Sequence, residues 1–329
     1  MKYFIIGSNS FSGSNFANHL LKKGKDVIGI SRSPEPNRAY LPYKWSEENE
    51  SQMSFFQLDI NSDLSSIIDL LNDHKPNVII NFAAQGMVAQ SWEAPLDWYK
   101  TNVVSQVALH DQLRKLSFVK KYLHFSTPEV YGSTDNWTKE HFHFKPSTPY
   151  AVSRAACDLH LMSFFKTYRF PVIFTRAANV YGPGQQLYRI VPRAVLSAKL
   201  GERIPLHGDG VSTRCFVHIT DVCEATELIC QHGTLGESYH ISNNTPISIL
   251  DLVTLISKKF EIPVHRLTTV SKERLGKDGS YLLDSNKVRR ELSWAPKIEL
   301  DQGIDSVTRW VDKNIQFLET EPRHYVHRK

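Results

Sequence analysis

Tyr3-Phe4-Ile5-Ile6-Gly7-Ser8-Asn9-Ser10-Phe11-Ser12-Gly13 is an apolar run that stops at a glycine and gives way to helical spacing through Phe16, Ala17, Leu20 and Leu21. Gly24 ends that helix, and Asp26-Val27-Ile28-Gly29-Ile30 reads as the next strand. The alternation continues along the chain. Further strands are expected at 55–58, 78–82, 122–125 and 172–175, and further helices over 64–71, 96–115 and 149–168. Strands that read as nearly continuous apolar runs between helices predict an α/β fold, a Rossmann-like doubly wound parallel sheet covered on both faces. Beyond Asn179 the elements shorten and loops lengthen. Residues 1–179 are expected to form the sheet domain and 180–329 mainly a smaller C-terminal α/β lobe, with segments around 216–241 returning to the sheet. The tail from Glu321 is polar and is expected to be loose.

Composition narrows the function before any motif does. The chain has 329 residues, 41% apolar and 22% charged, enough for a large core. Its net charge of +5 is mild for this length and its lysines and arginines are scattered. That distribution speaks against a nucleic-acid groove and for a small anionic ligand. Cys157, Cys215, Cys223 and Cys230 show neither C-x-x-C nor zinc-finger spacing, so they read as reduced core residues and no metal is expected. No apolar run approaches the ~20 residues of a membrane span, so a soluble, cytoplasmic protein with no membrane partner is expected.

The turn from Gly7 to Gly13 lies between the first strand and helix, where a dinucleotide's pyrophosphate would sit. Glycine allows a tight turn and a close backbone approach at a helix N-terminus. Gly7, Ser10, Phe11, Ser12 and Gly13 are therefore cofactor candidates, although glycine is commoner where Ser10 stands. At the end of the second strand, an acid would bind the ribose 2′-hydroxyl of NAD. Ser31-Arg32-Ser33 stands there instead, and a hydroxyl with a guanidinium suits the 2′-phosphate of NADP better, with NAD as the alternative. Asp59 and Ile60 after the third strand are candidates to flank the adenine. Ala83, Ala84 and Gln85 after the fourth are candidates for the path to the nicotinamide.

Ser126-Thr127-Pro128-Glu129-Val130-Tyr131-Gly132, followed by Tyr150-Ala151-Val152-Ser153-Arg154, sets a hydroxyl, a carboxylate and a phenol where one sugar ring can meet all three. With the glycine turn, Asn81 to Gln85, Arg176-Ala177-Ala178-Asn179-Val180-Tyr181-Gly182-Pro183, Gly208-Asp209-Gly210, Arg214 to His218 and Asp284 to Lys287, the chain resembles an extended short-chain dehydrogenase/reductase. Within that group it is most similar to the nucleotide-sugar 4,6-dehydratases of the GDP-mannose or dTDP-glucose type. The likeness runs over nearly the whole chain.

The resemblance implies a hydro-lyase with a tightly held NADP or NAD that is regenerated each turnover. Tyr150 would act as base at sugar C4 with Thr127 beside it, and Glu129 would remove the C5 proton while the 6-hydroxyl leaves as water. Asn102, Tyr150 and Arg154 join the cofactor residues by the same likeness. Two departures stand out: Pro128 replaces an aspartic acid that would protonate the leaving hydroxyl, and Arg154 replaces a lysine that lowers the tyrosine pKa.

Recognition of a nucleotide diphosphate sugar is expected from Gln85 and Ser91 at the hexose, and from Asn179, Arg189, Arg193, Arg214 and Arg274 at the phosphates or ribose. The base and hexose stay open. Two alternatives also stay open: a 4-epimerase or uronate decarboxylase, and a non-catalytic nucleotide-binding homologue motivated by Ser10, Pro128 and Arg154. Relatives pair through two helices, so a homodimer or a dimer of dimers is implied.

Overall fold

Both faces of the first strand are buried, Tyr3 and Ile5 in one apolar cluster and Phe4 and Ile6 in another. A strand hidden on both faces must lie in the middle of a covered sheet. A computed structural model describes residues 1–134, 136–271 and 280–327 and places it there. The chain begins with β1 (Lys2–Ile6), α1 (Phe11–Leu21), β2 (Asp26–Ser31), α2 (Glu47–Gln52), β3 (Met53–Gln57), α3 (Leu64–His74) and β4 (Val78–Asn81). It continues through α4 (Pro95–Tyr99), a π-turn at Lys100–Val104, α5 (Ser105–Leu113), β5 (Lys121–Phe125), β6 (Trp137–Thr138), α6 (Pro149–Tyr168) and β7 (Val172–Ala177). Next come β8 (Asn179–Tyr181), α7 (Ile190–Leu200), β9 (Ile204–His207), β10 (Thr213–His218), α8 (Ile219–His232) and β11 (Ser238–Ile241). The described remainder holds β12 (Pro246–Ser248), α9 (Ile249–Lys259), α10 (Val264–Leu267), β13 (Thr268–Ser271), β14 (Leu282–Leu283), α11 (Asn286–Leu292) and α12 (Leu300–Leu318).

Seven strands form one parallel sheet in the order β11-β7-β5-β4-β1-β2-β3. The order reverses between β1 and β4, and ligands of such sheets bind outside the strand ends at that switch. Within 216–241 the chain divides. Strand β11 extends the main sheet, whereas β10 pairs with β8 and β12 in a three-stranded sheet. A separate apolar cluster built on α7, α9 and α12, with Trp310 and Val311 among its buried residues, forms the core of the lobe. The expected helix over 96–115 is interrupted by the π-turn, a feature that often marks a functional site. Among the described residues no helix is long and apolar enough to cross a membrane.

Helix α6 presents Tyr150, Arg154 and Asp158 at intervals of four, hence on one face. That face is pinned to the sheet by the fully buried Asp158 carboxylate. Its Oδ2 accepts from Ser126 Oγ at 2.7 Å and from Arg176 Nη2 at 2.6 Å, and its Oδ1 lies 3.3 Å from His124 Nε2. Burial opposes this charge, but Arg176 and His124 overcome it and hold the carboxyl down to about 2. Arg176 is further surrounded by the rings of Tyr131, Phe142 and Phe144 at 5.1 to 5.5 Å. All four cysteines are free and buried, and burial pushes the Cys157 thiol up to about 12. His110, His124 and Cys157 bring ligand atoms within 4.8 Å of one another. A cation there would meet the Arg154 guanidinium, whose Nη2 is 3.1 Å from His124 Nε2.

Removing one partner of a buried, hydrogen-bonded charge cluster typically costs about 3–5 kcal/mol. Asp158→Ala is expected to lower stability by about that amount in urea unfolding, and a loss below about 1 kcal/mol would show that the clamp is not needed. Acid sensitivity is the second expectation. Burial, seconded by the Arg154 charge, lowers His124 to about 4; burial alone lowers His218 to about 4; burial first, then neighbouring positive groups, drives His110 and His240 well below the ordinary range. Below the unfolded value of about 6.5, the unfolded chain takes up protons that these folded imidazoles do not. Stability is therefore complete above about pH 6.5 and falls as pH drops towards about 4, each histidine contributing up to about 1.4 kcal/mol per pH unit. The melting temperature should already decline at pH 6, and a constant value down to pH 5 would contradict this.

Candidate active site

One cleft of about 670 Å³ opens at the carboxyl ends of the main strands and runs into the lobe. Its floor is made by the turn after β1. Gly7 has φ +85°, and a Cβ there would stand 2.8 Å from the Ala83 nitrogen across the switch point. A Cβ on Gly13 would stand 2.2 Å from the Gly7 carbonyl oxygen, so helix and turn can approach only through glycine. Ser10 caps α1: its Oγ accepts from Gly13 N at 3.0 Å and donates to Gly7 O at 2.7 Å. The serine that replaces a usual glycine therefore closes the turn. Phe11 and Ser12 line the cleft, and among the described residues their N–H groups have no protein acceptor. Open donors at a helix N-terminus fit a pyrophosphate.

The other cofactor candidates separate into wall and support. Arg32 and Ala84 line the cleft. Ser31 is buried, and its Oγ accepts from Asn9 N at 2.9 Å, tying the glycine turn to β2. Asp59 accepts from Asn61 N at 2.9 Å in its own turn, while Ile60 packs in the core and Ala83 against it. Asn102 in the π-turn is fully buried, its Oδ1 accepting from Gln85 N at 2.8 Å and its Nδ2 donating to Gln85 O at 3.0 Å. It clamps the loop that carries Gln85 into the cleft.

Thr127, Glu129 and Tyr150 all reach the same wall. Pro128 opens a single 3-10 turn after β5, and Gly132 closes it with φ +72°, where a Cβ would strike the Lys145 carbonyl at 2.3 Å. That turn aims Glu129 back towards Thr127, whose hydroxyl donates to the Glu129 carboxylate. Tyr150 starts α6, capped by Thr148, and is almost wholly buried. Burial raises its phenol above the ordinary value and the Glu129 charge adds to this, while Arg154 and the Thr127 hydroxyl pull it down less strongly. Arg154 is also buried. Its Nη2 donates to Phe125 O at 2.5 Å and to His124 Nε2 at 3.1 Å, which leaves Nη1 buried with no partner among the described residues. An orphaned cationic donor on the wall of a cleft fits a ribose hydroxyl.

At the lobe end the structure brings Asn179, Arg189, Arg193 and Arg214 to the cleft. Arg214 lies 4.4 Å over the Tyr281 ring, and the Tyr281 hydroxyl donates to Asn179 Oδ1 at 2.7 Å. Ser91 is not on the wall: it is fully buried and its hydroxyl donates to Val88 O at 2.6 Å. Arg274 lies outside the described residues. Three wall residues had no motif to reveal them, namely Tyr281, Tyr188 and Tyr325. Tyr325 also corrects the expected loose tail, because residues 321–327 pack against the protein, with His327 Nε2 2.7 Å from Asp97 Oδ2.

Residues 4–307 match the family described as GDP-mannose 4,6 dehydratase. The dTDP-glucose 4,6-dehydratase of Xanthomonas campestris is 30% identical, the alignment covering 94% of this chain and 92% of the relative. That of Streptomyces antibioticus is 31% identical, with 95% and 93% covered. The crystal structure of the dTDP-glucose 4,6-dehydratase from Streptomyces venezuelae, with NAD bound, is 29% identical and superposes with a TM-score of 0.89 over 97% of this chain and 99% of that one. A UDP-glucose 4-epimerase from Thermotoga maritima, at 25% identity, gives 0.86 over 96% and 100%. With the match running over residues 4–307 and these relatives covered almost end to end, this chain belongs to the GDP-mannose 4,6-dehydratase family of nucleotide-sugar-modifying extended short-chain dehydrogenases.

Proposed function

We propose that the chain is a nucleotide-sugar 4,6-dehydratase that converts an NDP-hexose to an NDP-4-keto-6-deoxyhexose. The observation that carries this reading is Glu129 hydrogen-bonded to Thr127 on the wall that also holds Tyr150. An epimerase needs the hydroxyl and the phenol; a carboxylate beside them adds the means to remove water. A bound nicotinamide dinucleotide supplies the hydride acceptor for sugar C4 and the donor for C6. Tyr150, once its own phenol proton has left, takes the proton of the C4 hydroxyl; burial and the Glu129 charge favour the protonated phenol, and Arg154 and the Thr127 hydroxyl pull towards the ionised form. The resulting 4-ketone acidifies C5–H, and Glu129 removes that proton. Pro128 has no proton to give, so Glu129 passes the same proton to the departing 6-hydroxyl, which leaves as water. C5 is finally reprotonated, which on balance returns the proton taken from the C4 hydroxyl.

Gly7, Gly13, Ser10, Phe11, Ser12, Arg32 and Arg154 would hold the dinucleotide, with Ser31 and Asn102 fixing the segments around it. Arg32 on the wall, with no acid at 31–33, favours a 2′-phosphate, whereas the Streptomyces venezuelae relative carries NAD. Weighing the dinucleotide released from heat-denatured protein separates the two. Asn179, Arg189, Arg193 and Arg214 would take the diphosphate and ribose, and Gln85 the hexose. Exposed apolar side chains at Leu96, Val104, Val152 and Leu159, on α4, the π-turn and α6, support a subunit contact there. Sedimentation of the purified protein as a dimer or tetramer is expected.

Incubation with dTDP-glucose, GDP-mannose, UDP-glucose and CDP-glucose should give one 4-keto-6-deoxy product, 18 mass units lighter than its substrate; no mass loss from any of them would overturn the reading. Glu129→Gln should lower turnover about a hundred- to ten-thousand-fold while the dinucleotide remains bound. An unchanged rate would remove Glu129 from the elimination.

A further inference from the structure

The last described residues lie across the cleft. Beyond α12, Arg323 turns the chain by donating from Nη1 to the carbonyls of Glu319 at 2.9 Å and Glu321 at 2.5 Å, and its Nη2 pairs with Glu202 at 3.3 Å. Burial then alternates: Arg323, Tyr325 and His327 are partly buried, and Pro322, His324 and Val326 are exposed. This is the period of an extended segment laid on a surface. The far end is anchored by His327, which meets Asp97 and stacks on the Trp98 ring at 5.0 Å and 15°. Glu202 and α12 belong to the lobe, and Asp97 and Trp98 to α4 beside the main sheet, so the segment bridges the two sides of the cleft. Midway, Tyr325 enters the wall: its hydroxyl donates to Gln85 Oε1 at 3.5 Å, and its ring meets the edge of Tyr188 at 5.4 Å and 85°.

We propose that residues 321–327 are a strap that closes the sugar end of the cleft, and that Tyr325 is a specificity-determining contact for the hexose. The inference rests on the nucleotide-sugar reading above. Gln85 is clamped by Asn102, so the strap reports to a fixed point in the site. Tyr325 stands in the wall beside Gln85 and Tyr188, where its ring shields the reacting carbons from water and its hydroxyl meets the hexose end of the substrate. The strap lies beyond residue 307, where the family match ends.

The test compares intact enzyme, Tyr325→Phe, Tyr325→Ala and His327→Ala, using dTDP-glucose or GDP-mannose, whichever the intact enzyme dehydrates, and the matching nucleoside diphosphate. Tyr325→Ala should raise KM for the nucleotide hexose about tenfold, equivalent to the loss of about 1.4 kcal/mol of binding. Affinity for the diphosphate alone should stay within about twofold, and Tyr325→Phe should fall between. In the unaltered protein, the nucleotide hexose should protect the Arg323–His324 bond from trypsin more than the diphosphate does. Unchanged KM values, or equal weakening for the sugar nucleotide and the bare diphosphate, would overturn the proposal. If the intact enzyme neither binds nor converts any nucleotide hexose, the functional reading itself fails, a result distinct from both.

Discussion

The Asp158 carboxylate is the contact on which the geometry of the catalytic wall depends. It is a buried negative charge bonded by Ser126 and Arg176, with His124 close beside it, and the three sit on or beside β5 and β7. Helix α6 cannot slide or rotate against the sheet without breaking these bonds in a region where water cannot replace them. Arg154 and Tyr150 lie one and two turns before Asp158 on the same face, so fixing the carboxylate fixes them too. Ser126 immediately precedes Thr127, and the strand end that anchors the helix also presents the hydroxyl and carboxylate of the site. A structural ion cluster thereby sets the position of the groups on the wall, Arg154 directly through His124 and Tyr150 through the helix.

The cleft itself follows from sheet topology. Where the strand order reverses between β1 and β4, two adjacent strand ends send their chains to opposite faces, and the gap receives a ligand. Here the gap is narrow enough that Gly7 has no room for a side chain beside Ala83. From that point the wall gains one segment from each neighbouring strand end: the α1 turn, the Gln85 loop, the Thr127 turn, then the β7 to β8 stretch leading to Asn179. The lobe adds arginines and tyrosines on the far side. In the proposed reading the chemistry is concentrated on the sheet side and recognition on the lobe.

Local pattern made much of this legible. Apolar runs gave the strands of the sheet, and the glycine turn and the Ser126 to Gly132 stretch announced their places because glycine, proline and acidic residues have narrow local uses. What stayed hidden depended on contacts distant in sequence. Ser31 and Asn102 look like ligand-binding residues in a chain of letters, yet each bonds backbone far off in sequence, Ser31 that of Asn9 and Asn102 that of Gln85. The i, i+4, i+8 spacing of Tyr150, Arg154 and Asp158 was present, but only the pairing with Arg176 gives Asp158 its meaning. The tail looked loose because it is polar and lacks a periodic apolar face. Its order comes from Arg323, Tyr325 and His327 finding partners on both sides of the cleft, and the two-residue alternation that allows this is short enough to pass as chance.

Arg154 is best understood together with its neighbours rather than as a damaged lysine. A lysine delivers a point charge from a flexible stem, whereas a guanidinium needs acceptors arranged around a plane. The Phe125 carbonyl and His124 supply two of them, and His124 can do so because burial and the arginine's own charge keep it neutral, with Nε2 free to accept. Asp158 then balances the positive charge one shell away. Nη1 is left over, buried and with no partner among the described residues. The positive charge beside Tyr150 is retained and one donor is left unspent, so the guanidinium changes how the wall is held while keeping the charge and donor that the proposed reaction asks of this position.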